Sequence, residues 1–178
     1  MSLSIHLFTA LFLFVMNPIV LVDFNKNSSI KDWSIVNDVV MGGKSNSNFK
    51  IDSEGNGSFT GTVSLDNNGG FCSVQHYLQP KILKNKKFFS IRLKGDGKKY
   101  QFRVKSNRND YYSYIYSFQT GNLWEVIEIP MAEMYASFRG NKLDIPNYDG
   151  VKMEQMAFLI ANNKEESFEL LIDKIEVK

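Results

Sequence analysis

The amino-acid sequence predicts an all-β protein, a two-sheet β-sandwich or a barrel, and three observations carry that expectation. About nine short runs of alternating or β-branched residues recur along the chain, each closed by Gly, Asn, Asp or Pro. The alternation holds period two over whole segments, the pattern of a sheet with one buried and one solvated face. Only Met131 to Tyr135 reads as a short helix, so sheet must cover sheet.

In chain order, Ile19 to Phe24 is a short β-branched strand, followed by a polar, turn-rich stretch to Asp32. Trp33 to Val36 is extended and then turns sharply: Asn37 and Asp38 can bond their own backbone, and Gly42-Gly43 permits unusual backbone angles. Phe49 to Asp52 alternates and Ser53 to Gly57 makes a hairpin turn. Phe59, Gly61, Val63 and Leu65 then share one face, opposite Ser58, Thr60, Thr62 and Ser64. Phe71 to Leu78 is a strand that should end before Pro80. Phe89, Ile91 and Leu93 alternate with Ser90, Arg92 and Lys94. After Gly95-Asp96-Gly97, Tyr100, Phe102 and Val104 alternate with Gln101, Arg103 and Lys105. Tyr112, Tyr114, Tyr116 and Phe118 fall on one face of the next strand. Trp124 to Ile129 stops at Pro130, Asn141 to Gly150 is a loop, and Met156–Ile160 and Phe168–Val177 complete the sheets. The first and last strands are natural partners in one sheet.

A chain of 178 residues with 43% hydrophobic and 22% charged residues is long enough for one well-buried domain. Residues 19–178 show no repeat or linker and read as a single domain. The apolar run from Ile5 to Met16 is short for a bilayer span. Residues 1–18 read as an export signal or lipid-proximal leader, so the protein is expected to be exported or membrane-associated, with a cytoplasmic location the alternative. The formal net charge of +2 does not argue for nucleic-acid binding. Charge is nonetheless uneven: Lys81 to Arg108 holds eleven basic residues and one acidic one, whereas Glu125 to Lys178 holds eleven acidic and six basic. Either these charges neutralise across neighbouring strands, or the basic stretch docks an acidic partner or an anionic membrane. Arg92, Lys94, Arg103 and Lys105 alternate with core residues on two strands joined by one short turn, so they are expected to project together from the outer face of a hairpin.

No constellation of catalytic residues stands out. Cys72 is the only cysteine and reads as a small buried hydrophobe beside a turn. Two histidines, His6 and His76, leave little from which to build a zinc site. Asp66-Asn67-Asn68-Gly69 lacks the terminal Glu of a calcium loop and reads as a turn. Gly43-Lys44-Ser45 ends like a phosphate loop, but the upstream glycine position is Asp38 and no helix follows. Neither a metal nor another cofactor is expected. Tyr112, Tyr114 and Trp124 could form a platform for a sugar ring, or such aromatics could be core.

Two stretches have a more specific pattern. Trp33-Ser34-Ile35-Val36-Asn37-Asp38-Val39-Val40-Met41-Gly42-Gly43-Lys44-Ser45 follows W-x-x-x-N-D-x-V-M-G-G-x-S, and Phe59 to Phe71 follows F-x-G-x-x-S-L-x-N-x-G-G-F through Gly69-Gly70-Phe71. Leu21 to Phe24, Trp124 with Pro130, Phe138-Arg139-Gly140 and Asp173-Lys174-Ile175 extend the likeness over residues 21–178. The chain thereby resembles the complex I intermediate-associated protein 30 family. The resemblance implies a galactose-binding-like sandwich of jelly-roll type and a non-catalytic binding or assembly role. A protein client, a respiratory-complex subunit or another, is the expected partner. An exported carbohydrate-binding protein is the alternative, and the leader or the basic stretch offers a route to membrane association. Within the motif, Asn37, Asp38, Met41, Gly42, Gly43 and Ser45 form either a ligand site or a structural keystone. The keystone reading has Trp33 and Met41 packing around an Asp38 that holds the turn by accepting backbone N–H bonds.

Overall fold

The computed structural model describes residues 17–83 and 85–178, so the apolar run read as a leader lies outside the described residues. Among the described residues there are thirteen strands: β1 (Ile19–Asp23), β2 (Trp33–Ile35), β3 (Asn46–Ile51), β4 (Gly57–Val63), β5 (Cys72–Ile82), β6 (Phe88–Lys94), β7 (Lys99–Lys105), β8 (Ser113–Gln119), β9 (Trp124–Pro130), β10 (Tyr135–Phe138), β11 (Asn141–Lys142), β12 (Lys152–Ile160) and β13 (Glu166–Val177). They form two antiparallel sheets. One has six strands in the order β3-β4-β13-β6-β9, with β1 also paired to β13; the other has seven, in the order β11-β10-β8-β7-β12-β5-β2. This is the expected all-β sandwich, and its terminal strands do pair, Ile19 opposite Val177. The helix expected near Met131 is a single 3-10 turn, Met131–Glu133, and the chain then enters β10.

The core follows from the alternation. Phe89, Ile91 and Leu93 of β6, with Phe168, Leu170, Ile172 and Ile175 of β13, face Tyr100, Phe102 and Val104 of β7 and Met156, Phe158 and Ile160 of β12. Phe89 meets Phe102 edge to face across the layers, centroids 5.1 Å apart. Each such fully buried side chain contributes about 1.5–3 kcal/mol. Cys72 lies in the same cluster, and burial pushes its thiol up to about 11. A thiol reagent at pH 8 should therefore label the native protein on the order of 100-fold more slowly than the denatured chain. Equal rates would place Cys72 outside the core.

Three expectations are corrected. β5 runs through Pro80 to Ile82, because the β5–β12 register shifts between Met153 and Gln155 and β2 reaches only to His76. Pro80 thus lies at a bulge on an edge, where a missing N–H costs no ladder bond. Leu65 falls beyond β4 and is exposed. Most consequentially, β6 and β7 are not a hairpin. The turn at Gly95–Lys98 carries the chain from the six-stranded sheet to the seven-stranded one. Apolar residues that would sit side by side in a hairpin instead face each other across the core. Asp96 ties this crossing down: Lys98 Nζ (2.7 Å), the Tyr100 hydroxyl (3.0 Å) and the Glu169 N–H (2.9 Å) all donate to its carboxylate.

Candidate functional site

The crossing separates the four basic residues expected on one surface. Arg92 and Lys94 face outward from the six-stranded sheet, where Arg92 pairs with Asp173 at 2.7 Å and covers the Trp124 ring at 4.6 Å. Arg103 and Lys105 face outward from the other sheet. The aromatic platform is divided in the same way. Trp124 belongs to β9, whereas Tyr114 shares the inward face of β8 and packs on Tyr148 at 5.1 Å and on Tyr112 at 5.5 Å. Tyr112, Tyr114 and Trp124 therefore do not meet on one surface.

The motif residues do meet. Asn37-Asp38 opens a 3-10 turn, Asp38–Met41, which Gly42 ends in the left-handed region at φ 92°. The Asp38 carboxylate is fully buried and accepts from the Ser45 N–H (2.9 Å), the Ser45 hydroxyl, the Gly70 N–H (2.6 Å) and the Phe71 N–H (3.2 Å). Burial alone would raise its pKa, but the bonds from the Ser45 hydroxyl and the Gly70, Ser45 and Phe71 amides hold it below the usual carboxylate value. Asn37 Oδ1 accepts from Ser47 Oγ (2.8 Å) and the Ser73 N–H (3.4 Å). Both Gly-Gly pairs close on this one carboxylate. A Cβ on Gly69 would lie 2.6 Å from Asp38 Oδ2, and one on Gly43 would lie 2.4 Å from Asp38 Cγ and Oδ1. Trp33 bridges the sheets, stacked on His76 at 4.7 Å and against Phe49 at 4.7 Å. Met41 differs from expectation: the turn lifts Val39, Val40 and Met41 outward, and each is more than half exposed.

A second arrangement, not anticipated as a unit, is the outer face of the seven-stranded sheet. One row crosses six strands: Tyr135, Ile115, Arg103, Ala157, Gln75 and Ser34. Beside it run Ser117, Gln101, Leu159 and Ser73 on one flank and Lys105, Gln155 and Tyr77 on the other. Among the described residues no third layer of strands covers this face, yet Ile115, Ala157, Leu159, Ser73 and Gln155 are each under 8% exposed. Small and apolar residues thus form a floor between taller polar neighbours. Gln101 Oε1 accepts from Arg103 Nε (3.0 Å) and Nη2 (2.7 Å), and the Gln155 carboxamide donates to that of Gln75. Burial lowers the Arg103 pKa to about 10, which leaves it charged at neutral pH. Past Gln101 the face opens into a cavity of about 230 Å³ lined by Lys99, Gln101, Ala161, Asn162 and Asn163. Of this set the sequence reading had singled out Arg103 and Lys105. Alternation in β7 marked the outward polar row, but its neighbours from β5, β10 and β12 come from strand order, which local pattern does not carry.

Several solved structures share this architecture. The family 11 carbohydrate-binding module of the cellulosomal cellulase Lic26A-Cel5E of Clostridium thermocellum is 18% identical, with a TM-score of 0.65 over 90% of this chain and 94% of the module. The family 11 module from Clostridium thermocellum, in complex with a β-1,3-1,4-mixed-linked tetrasaccharide, is 19% identical with a TM-score of 0.62 over the same shares. A point mutant of the family 29 carbohydrate-binding module CBM29-2 is 8% identical, TM-score 0.54, over 90% of this chain and 91% of its own. At these identities the likeness is one of fold. The family model for complex I intermediate-associated protein 30 (CIA30), by contrast, matches residues 22–172, which include both glycine-rich motifs and most of both sheets. This chain belongs to the complex I intermediate-associated protein 30 family.

Proposed function

We propose that the protein is a non-catalytic module that binds a glycan chain along the outer face of its seven-stranded sheet. The observation that carries this reading is the uncovered face with a buried floor of Ile115, Ala157 and Leu159. Planar amides, a guanidinium and two tyrosines, Tyr77 and Tyr135, rise around that floor, and such groups suit hydroxyl-rich rings with apolar faces. The fold shared with carbohydrate-binding modules supports the reading. So does the length of the row, which crosses six strands and thus spans roughly 24 Å at sheet spacing, several sugar units.

Affinity electrophoresis of the full chain against a panel of soluble polysaccharides tests it. At least one should retard the protein, and Gln101→Ala or Tyr135→Ala should weaken that retardation about tenfold without changing the melting temperature. The inward-facing Tyr116→Phe should bind like the parent. No retardation by any member of the panel would remove the reading.

A second reading, docking of a protein client in an assembly role like that associated with the family's name, has its own observation. Val39, Val40 and Met41 are presented outward by a turn anchored on a buried carboxylate. Val40→Asp with Met41→Asp should then abolish client capture and leave glycan retardation unchanged.

A further inference from the structure

The two sheets differ sharply in charge. The strands of the seven-stranded sheet carry six Lys or Arg residues (Lys81, Lys99, Arg103, Lys105, Lys142 and Lys152) and one carboxylate, Glu154. The six-stranded sheet carries four basic residues and seven carboxylates. In the latter the charges neutralise: Arg92 with Asp173 (2.7 Å), Lys174 with Glu176 (3.0 Å) and Asp23 (3.6 Å). In the former, Glu154 sits at the β12 bulge and is already engaged by Lys152 (2.6 Å) and Arg108 (3.6 Å).

Arg103 is therefore a half-buried cation at the centre of an open face with no carboxylate partner among the described residues. A guanidinium drawn out of water is ordinarily paired, because the unpaired charge is costly. Here only a neutral carboxamide holds it. Gln101 takes the Nε and Nη2 side and fixes the plane, while Nη1 has no acceptor among the described residues. Lys99 lines the adjoining cavity, Lys105 stands in the flanking row of β7 with its Nζ donating to the Asp110 carbonyl (2.5 Å), and Lys142 Nζ lies 5.4 Å from the centre of the Tyr135 ring. Cations thus line the face from β11 to β7 while its floor stays apolar.

We infer that the glycan taken by this face is acidic, with a carboxylate or sulfate group received by Arg103 Nη1. The inference rests on the glycan reading above and adds the ligand's charge. Fixing the guanidinium plane in advance favours a planar or trigonal oxyanion over a hydroxyl. The flanking lysines would hold acidic groups on neighbouring units as screened point charges.

The test measures the full chain against polygalacturonate, dextran sulfate and the neutral glucan lichenan, at 50 mM and 500 mM NaCl. One or both acidic polymers should bind at least about tenfold tighter than lichenan at low salt and lose most of that advantage at high salt. Which of the two binds distinguishes carboxylate from sulfate. Arg103→Gln should abolish the preference, Arg103→Lys should restore part of it, and the exposed Lys99→Gln should reduce it about twofold to threefold with an unchanged melting curve. Lichenan binding as tightly as the acidic polymers, independently of salt, would overturn the acidic assignment and leave the glycan reading standing. Polyglutamate or single-stranded DNA binding as tightly as the acidic glycans would overturn it in favour of charge without sugar recognition. Retardation by none of the glycans would remove both.

Discussion

Asp38→Ala should lower the free energy of unfolding by about 3–5 kcal/mol and the melting temperature by about 10 °C. The substitution removes the acceptor of four buried or part-buried donors: the Ser45 N–H and hydroxyl and the Gly70 and Phe71 amides. These come from two chain segments, which the Asn67–Gly42 hydrogen bond (3.1 Å) and the exposed Lys44–Asp66 pair (2.8 Å) join at their outer edge. Losing the carboxylate loosens the Gly69-Gly70-Phe71 turn and the Gly42–Ser45 turn together. Glycan or client binding by the soluble fraction should fall only as far as folding falls. A variant that melts like the parent yet does not bind would make the motif a recognition site instead.

The pH dependence follows from the same bonds. Asp38 and Asp52 both have folded-state pKa values below their ordinary ones. In each case burial acts to raise the value and the accepted hydrogen bonds outweigh it; for Asp52 these come from Asn56, Glu54 and Gly55. A depressed carboxylate contributes stability that is fully present above its unfolded pKa, about 3.9, and is lost as pH falls through the folded value. The parent should therefore lose stability steeply below about pH 4, and Asp38→Ala should show a shallower acid limb. Parallel acid limbs would mean that Asp38 is not ionised in the folded protein.

What could be read from the residues, and what could not, divides along a physical line. Period-two alternation is local, so the inward faces of β6 and β7 were legible from Phe89-Ile91-Leu93 and Tyr100-Phe102-Val104. Whether two such strands pair or face each other is not local. It turns on the crossing held by Asp96, where Gly95 packs so close to Thr120 that a Cβ would have no room. Reading that turn as a hairpin placed Arg92 beside Arg103, when the two strands lie in different sheets. The same limit hid the outer face of the seven-stranded sheet proposed to take a glycan, whose floor of Ile115, Ala157 and Leu159 belongs to strands distant in sequence. Met41 failed for another reason. An apolar residue inside a specific motif suggests packing, but the 3-10 turn that buries Asp38 points the following three residues away from the core.

Gly43→Ala should cost about 3 kcal/mol or more, and a large part of that cost, though not all, should vanish when Asp38 is also replaced by alanine. The need for glycine here is not conformational. Gly42 holds the positive φ of the turn, whereas Gly43 is not among the residues with positive φ. Its constraint is space: a Cβ at Gly43 would overlap the Asp38 carboxyl and come within 2.8 Å of Asp38 Cβ. That carboxyl is held in place, because Ser45 and Gly70 bond to its two oxygens and Oδ2 lies only 2.6 Å from where a Gly69 Cβ would be. Displacing it would strand the same donors that Asp38→Ala strands, so the two substitutions damage one interaction set and cannot add. The double variant relieves the overlap with the carboxyl but keeps the 2.8 Å approach to the Cβ at position 38, so it should be less stable than Asp38→Ala alone by less than the full Gly43→Ala cost. A double-mutant cycle in urea should thus return a coupling of about 2 kcal/mol or more. Additive costs would mean that Gly43 is required for some reason other than Asp38, and the picture of two Gly-Gly turns closing on one buried carboxylate would fail at this contact.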